Sequence, residues 1–432
     1  MTPLGPDVFA EAVRRLVGEC PLHLAVSGGR DSIVLLDLAA RAGVAAGVVH
    51  VDHGLAADSA AWARFCAAAA ERRGLAFHSC RVGVVPGGDL EARARAARYD
   101  AFQRLLPGGA VVATAHHADD QAETVLLRLL RGSGVEGLTG IAPSRRLGPL
   151  TLIRPLLAWP RDAIDSYARE HRLEWVDDPD NAELTRDRNY LRHTILPRLA
   201  ARWPGVDVRL GRLAGHAREA RALAAWAAER LGLDAGPAPL DGLAEAPDSV
   251  AHAALRAWLR DAGMRPPPEA RLRQGLRDLL AAAADREPVL AWDAGELRRH
   301  RGRLFRLPAP VPDGPAGRLD WEAAGHGLSP EIRESLRCGV AAPGERLRLV
   351  PDGPRRRVSE LYRERGLAPW ERRWWPVLRL DDVLVAVPGI GVAAGYAVPQ
   401  GVRPVWHPAL PVGTDVTAGW AAMAGAGRAP RH

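Results

Sequence analysis

The chain has 432 residues, with a hydrophobic fraction of 47% and a net charge of +7. That is ample for two or three domain cores, and the absence of any charge-free apolar run of about eighteen residues excludes a transmembrane helix. Arginine supplies all the fixed positive charge, because the sequence contains no lysine; such a balance fits either plain solubility or an anionic partner such as nucleic acid.

The first twenty residues carry Asp7, Glu11, Arg14 and Arg15 and show no signal pattern. Cys20, Cys66, Cys80 and Cys338 are scattered, with no C-x-x-C pair, so a reducing, cytoplasmic setting is expected. From residue 22 to 150, short apolar strands alternate with amphipathic helices. "LHLAV" is a strand, and "DSIVLLDLAARAG" the helix after it. "VAAGVVHVDH", "LAFHSCRVGV" and "AVVATAHH" are further strands. "DSAAWARFCAAAAERRG", "DLEARARAARYDAFQRLLPG" and "ADDQAETVLLRLLRGSG" are the matching helices. This alternation predicts a doubly wound, mostly parallel α/β sheet with helices on both faces. Residues 205–285 are helical and rich in Ala, Leu and Arg, and "REPVLAWDAGELRRHRGRLFRL" closes them as a hairpin. A Pro/Gly-rich stretch at 308–317 predicts a linker. Residues 320–406 predict a small α+β module, and residues 407–432 a disordered tail.

Between the first strand and first helix stands Ser27-Gly28-Gly29-Arg30-Asp31-Ser32. Two glycines allow a sharp turn and close backbone approach to an anion. The amides of the following helix, with its dipole of about half a positive charge, then point at one spot. Ser27 and Ser32 add hydroxyls there. The loop has neither the G-x-x-x-x-G-K-[ST] nor the G-x-G-x-x-G spacing. It resembles instead the S-G-G-x-D-S loop of PP-loop enzymes, which split ATP between its α and β phosphates.

Three more stretches narrow the resemblance: "HVDHGLAADSA" at 50–60, "EARARAARY" at 91–99 and "ATAHHADDQAETVLLRLLRGSG" at 113–134. With "DDPDNAELTRDRNYLRHTILPRL" at 177–199 and, near the C-terminus, "RVSELYRERGLAPWERRWWPVL" and "VPGIGVAAGY", the chain resembles the tRNA(Ile)-lysidine synthetase family. Ala56 departs from that pattern, where arginine is usual. The resemblance implies a PP-loop catalytic domain over 1–204, a helical tRNA-binding domain over 205–310 and an acceptor-stem-binding domain over 320–406. It implies ligation of L-lysine to C2 of the wobble cytidine of tRNA(Ile) bearing a CAU anticodon. The route is an adenylated cytidine, with AMP and diphosphate released. The product, lysidine, changes codon and amino-acid identity from Met to Ile. Dimers occur in the family.

The loop residues Ser27, Gly28, Gly29, Arg30, Asp31 and Ser32, with the backbone beside Val51 and the His116 side chain, are the expected ATP contacts. Asp31 beside phosphates needs a bridging cation, for which Mg2+ is the natural choice, or else it caps the helix. Asp119, Asp120 and Glu123 open one helix, at spacings that place them on one face. They suit Mg2+, with Asp120 as a second metal ligand, the ammonium of substrate lysine, or simply the helix dipole. Asp31, Asp120, Glu123, Arg188 and Arg192 are the expected catalytic group, with the two arginines on the tRNA backbone or the charge developing near AMP. Glu91, Arg95 and Arg98 share a helix face, read either as solvated ion pairs or as an RNA contact. Arg365, Arg372 and Arg373, interleaved with tryptophans, complete the expected RNA-binding set. The rival readings are a tRNA thiolase, which would need paired cysteines, and a small-molecule adenylating ligase, which would not need the distal domains.

Overall fold

The computed structural model describes residues 3–54, 58–83, 90–177, 187–234, 236–283, 286–312 and 314–409, without the side chains of residues 90 and 91. Ala56, the Glu91 side chain and residues 410–432 therefore lie outside the described residues. The chain forms two compact units, Met1–Arg221 and Ala222–His432.

In the first unit, alternation of apolar strand and amphipathic helix builds a six-stranded sheet. Its strands are β1 (Leu22–Ala25), β2 (Ala45–Asp52), β3 (Ala76–Arg81), β4 (Val111–Ala113), β5 (Ser144–Leu147) and β6 (Leu150–Ile153). The order is β3-β2-β1-β4-β6-β5, parallel except for β5, which pairs antiparallel with β6. That closing hairpin is not signalled by alternation, because "SRRLGPLTLI" places two arginines outward beside a buried Leu-Thr-Leu-Ile run. Helices α1 (Pro6–Val17), α2 (Arg30–Arg41) and α3 (Ser59–Glu71) cover one face. Phe9, Leu35, Leu38, Cys66 and Ala69 bury there against Leu22, Leu24 and Val48. Helix α4 (Leu90–Leu105) covers the other face, with Phe102 packed on Val49, Val112 and Leu152. Removing this apolar surface from water, at roughly 25 cal/mol per Å², is what holds the helices to the sheet.

The remaining helices of this unit are α5 (Ala118–Leu130), α6 (Val135–Leu138), α7 (Arg161–Glu170), α8 (Asp187–Tyr190) and α9 (Leu196–Arg202). A π-helical turn, Leu191–Ile195, joins α8 to α9, and the unit boundary falls within the long α10 (Val206–Arg230). Buried Asp37 on α2 ties three helical segments together. It accepts from Arg41 at 2.7 Å, from Arg73 just past α3 at 2.8 Å and from the Tyr167 hydroxyl of α7 at 2.9 Å. Gln121 clasps the loop after α6 by accepting from the Ile141 amide and donating to the Ile141 carbonyl at 3.1 Å.

In the second unit, the helices Leu240–Glu245, Asp248–Asp261 and Glu269–Ala281 bury Leu255, Trp258, Leu272 and Leu276 in one core. The expected hairpin is a three-stranded meander, Val289–Trp292, Gly295–His300 and Arg303–Pro308. The Pro/Gly linker ends where a long strand, Gly317–Leu328, begins. That strand pairs antiparallel with Val402–Pro408, so the last strand passes the expected limit at 406. Nothing local marks "GRLDWEAAGHGL" as a strand; its partner lies some eighty residues away and supplies the pairing. Trp374 and Trp375 are 0% and 1% exposed, and Trp370 is 3% exposed, so these aromatics are core. Phe305 and Leu307 of the meander share a cluster with Trp370 and Trp374, so the helical and C-terminal segments pack as one body within this unit.

Candidate active site

In an open parallel sheet, ligands settle beyond the carboxyl ends of strands whose connections diverge. Here β1 lies between β2 and β4, and the chain leaves β1 and β4 for different parts of the sheet. The Gly28 loop follows β1, and His116-His117 follow β4. Both therefore reach the same crevice.

Gly28 adopts φ +96°, in the left-handed region, and a methyl group there would meet Cys66 Sγ at 3.3 Å. Its carbonyl accepts from the Val176 amide at 3.0 Å. Ser32 folds back, donating to the Gly29 carbonyl at 2.7 Å, and the Ser27 hydroxyl lies 3.3 Å from the Ser32 hydroxyl. Helix α2 then starts at Arg30; the Arg30 and Asp31 amides have no helical carbonyl before them, while the Ser32 amide donates to the Gly29 carbonyl at 3.0 Å. The Arg30 side chain turns away to an ion pair with Asp165 of α7 at 2.7 Å. Of the expected phosphate contacts, Arg30 thus offers its amide rather than its guanidinium.

The β1–β2 ladder ends at Ala25 and Val49, and the Val26 carbonyl, which would extend it, accepts from buried His50 Nδ1 at 2.8 Å. The edge of Val51 facing β1 is left beyond the last strand pair.

Helix α5 carries the acidic cluster. Glu123 is 0% exposed. It accepts from Arg188 Nε at 2.7 Å, from Arg192 Nε at 2.5 Å and from Arg192 Nη2 at 3.0 Å. Asp120 Oδ1 accepts from Arg192 Nη2 at 2.8 Å and from Arg188 Nη2 at 3.3 Å, while Oδ2 accepts from the His117 amide at 3.0 Å. Arg188 comes from α8 and Arg192 from the π turn, where the widened backbone sets its register. The cation that the crowded acids demanded is thus supplied by two arginines. Asp120, expected as a metal ligand, has both oxygens engaged. Burial pushes the Asp120 carboxyl up, but His117, His116 and the two arginines hold it far below the usual carboxylate range.

His117, only 1% exposed, is a hub. Its Nε2 lies 3.5 Å from both Asp31 and Asp120, and its Nδ1 lies 3.6 Å from Asp119. Burial disfavours its charge, yet Asp120, Asp119 and Asp31 push its pKa up to about 10. A histidine at the strand-to-helix junction, preceding two acids, was the available signal. Asp119 also accepts from the Arg161 amide at 2.9 Å, fixing α5 against α7. Asp31 is likewise held low: burial raises it, and His117 and Arg30 outweigh that. Its contacts to Arg30 and His117 are long, 3.3 and 3.5 Å, which leaves its oxygens weakly engaged. No group of three His, Cys, Asp or Glu side chains able to hold a metal occurs among the described residues. A cation at Asp31 would take its further ligands from phosphate and water, as Mg2+ does.

His116 behaves oppositely. Its Nδ1 lies 2.9 Å from the Thr114 hydroxyl, and burial, aided by Arg154, Arg95 and Arg188 against Asp120, pushes its pKa down to about 3. It stays a neutral imidazole.

The expected RNA contacts divide. Arg95 turns inward, donating to the Tyr99 hydroxyl at 3.2 Å, and Arg98 is already engaged. In the second unit Arg372 donates twice to the Leu367 carbonyl, at 3.1 and 2.9 Å, whereas Arg373 is exposed. Arg365 is half-buried and has a partner of its own.

Comparison with known proteins matches the sequence to three family descriptions. They are PP-loop domain over residues 8–199, TilS substrate binding domain over 239–305 and TilS substrate C-terminal domain over 335–406. A tRNA(Ile)-lysidine synthase of Alkalilimnicola ehrlichii is 41% identical, over 93% of this chain and 96% of its own. Those of Methylococcus capsulatus and Pseudomonas aeruginosa are 37% and 39% identical, each over 85% of this chain and over 91% and 89% of their own.

Proposed function

The chain belongs to the tRNA(Ile)-lysidine synthase family, and from that premise we propose that it uses ATP to join L-lysine to C2 of the wobble cytidine of tRNA(Ile) with a CAU anticodon. The cytidine O2 attacks the α-phosphorus and diphosphate leaves. The lysine ε-amine, having lost a proton, then attacks C2, and AMP leaves with the original oxygen. The reaction is set in the cytoplasm, in keeping with four free, scattered cysteines.

The observation that carries this reading is the Gly28 turn at the sheet crevice, with the Asp120–Glu123–Arg188–Arg192 cluster held beside it through His117. The amides of Gly29, Arg30 and Asp31 and the hydroxyls of Ser27 and Ser32 would hold the departing diphosphate. Val51 would meet the adenine through its backbone. Asp31 would hold Mg2+, which supplies charge neutralisation on the phosphates. Arg188 and Arg192, oriented by Glu123, would meet the negative charge developing near the α-phosphate. Arg98, Arg365 and Arg373 would contact the tRNA backbone, Arg372 through its remaining N–H groups. A thiolase is disfavoured by the isolated cysteines.

Incubation of the protein with ATP, L-lysine and a transcript of tRNA(Ile), followed by mass spectrometry of the wobble nucleoside, tests the reading. Lysidine is expected; an unmodified cytidine overturns it. Asp31→Ala is expected to abolish ATP-dependent adenylation while tRNA affinity stays within about twofold, and normal adenylation by that variant would remove the metal role of Asp31.

A further inference from the structure

Arg30 stands inside the phosphate loop, yet its guanidinium spans two carboxylates. Nη1 lies 2.7 Å from Asp165 Oδ1 of α7, and Nε donates to Asp31 Oδ1 at 3.3 Å. The Arg30 and Asp165 side chains are 18% and 19% exposed. The Asp165 contact is close but unaligned: its Oδ1 is buried and accepts no hydrogen bond among the described residues. One cation is thus divided between an acid of the cradle and an acid outside it, and no short, aligned hydrogen bond fixes it to either.

Holding α7 in place does not require this pair. Ile164, Tyr167 and Ala168 are buried in the main core of the first unit. The Arg161 amide donates to Asp119 at 2.9 Å, and the Tyr167 hydroxyl donates to Asp37 at 2.9 Å. These anchors lie on both sides of Asp165. A partly buried ion pair adds little net stability, because desolvation offsets the Coulomb gain. What the pair does supply is a counter-charge for Asp31. Burial and the neighbouring Asp120 both disfavour charge on that carboxylate, and its contact to His117 is 3.5 Å long.

We propose that Arg30 is a positioning residue that covers Asp31 before ATP binds and yields it to the Mg2+ that accompanies the nucleotide, its charge passing wholly to Asp165. The inference rests on the reading of Asp31 as the holder of that cation. A guanidinium and a divalent cation repel each other at one carboxylate. Asp165, already 2.7 Å from Nη1, takes the displaced charge by side-chain rotation alone. Before nucleotide binds, the same guanidinium spares the cradle a bare carboxylate, which would repel incoming phosphates. The Arg30–Asp165 pair therefore sets how strongly nucleotide binding depends on the metal.

Calorimetric titration of the full chain with α,β-methylene-ATP, which cannot be split between those two phosphates, reads this dependence. The quantity is the ratio of affinity in excess Mg2+ to affinity in EDTA; it is internal to each variant, so a general loss of affinity cancels. Arg30→Gln is expected to raise the ratio roughly fivefold, because Mg2+ no longer competes for Asp31 and metal-free phosphates meet that carboxylate uncovered. Asp165→Asn is expected to lower it roughly threefold, because Arg30 then stays on Asp31. The double variant should match Arg30→Gln, since Asp165 acts through Arg30. A purely structural pair would not give opposite shifts from its two partners. Shifts in the same direction, or an Asp165→Asn effect undiminished without Arg30, would overturn the proposal. So would an unchanged ratio in Arg30→Gln with affinity lost equally in both buffers, which would make the guanidinium a direct phosphate contact. A parent protein that binds the analogue equally with and without Mg2+ would instead remove the metal reading of Asp31, and this inference with it.

Discussion

Glu123 holds two arginines with one carboxylate, and its complete burial leaves no water to replace it. Glu123→Gln keeps the shape and removes the charge, so Asp120 would be the carboxylate that Arg188 and Arg192 still share. Removing one partner of a buried pair costs about 3 kcal/mol. Thermal denaturation should show a lower Tm, and the adenylation rate should fall together with it. A variant as stable and active as the parent would mean that the two arginines do not depend on Glu123. The sequence revealed these residues as types at spacings: acids three apart on α5, arginines four apart before α9. It did not reveal that they face each other, because that contact spans about 65 residues and is set by the fold. For the same reason Asp120 was read as a metal ligand, when its oxygens serve arginine and a backbone amide. Spacing leaves Arg95 open as a surface ion pair or an RNA contact, whereas its Tyr99 partner lies one turn along the same helix.

Helices of the first unit are joined by polar clasps as well as by apolar packing. Asp37 links α2 to Arg73 and Tyr167, and its neighbours hold its acidity in the folded state above that of an ordinary Asp. Burial works the other way, but Arg73, Tyr167 and Arg41 outweigh it. Its folded pKa therefore lies below the unfolded value of about 3.9. The stabilisation is present above that pH and is lost as pH falls through the folded pKa. Urea denaturation of Asp37→Asn against the parent should show a stability gap that is constant near neutrality and closes as the pH falls below about 4. A gap independent of pH would assign Asp37 a packing role alone. At this scale alternation carried most of the first sheet, since each parallel strand is bounded by an amphipathic helix. It missed the β5–β6 hairpin, which joins the sheet through β4, and the strand Gly317–Leu328, made by pairing with a distant segment. It also missed α1, although Phe9 and Val13, four apart, mark its buried face.

The charge of the whole chain bears on its RNA partner. A net charge of +7 carried by arginines gives long-range attraction that weakens with salt, and each phosphate contact steepens that dependence. Arg372 spends two of its donors on Leu367, so Arg373 should carry more of the RNA contact at this corner. Arg373→Gln is expected to weaken tRNA binding and to reduce the slope of log affinity against log salt by about one. Arg372→Gln should reduce it by less. Filter binding across a salt series measures both, and an unchanged slope in Arg373→Gln would take that residue out of the footprint.

The thiol of Cys66 lies directly beneath the Gly28 turn, fully buried, with its pKa pushed up to about 12 by burial. A thiol so placed is nearly inert to iodoacetamide while the turn is seated. Carboxamidomethylation of Cys66, in a background with the other three cysteines replaced by serine, would therefore clock how often the turn lifts off. ATP should slow that clock, and labelling at the same rate with and without nucleotide would show that the turn opens independently of what it holds.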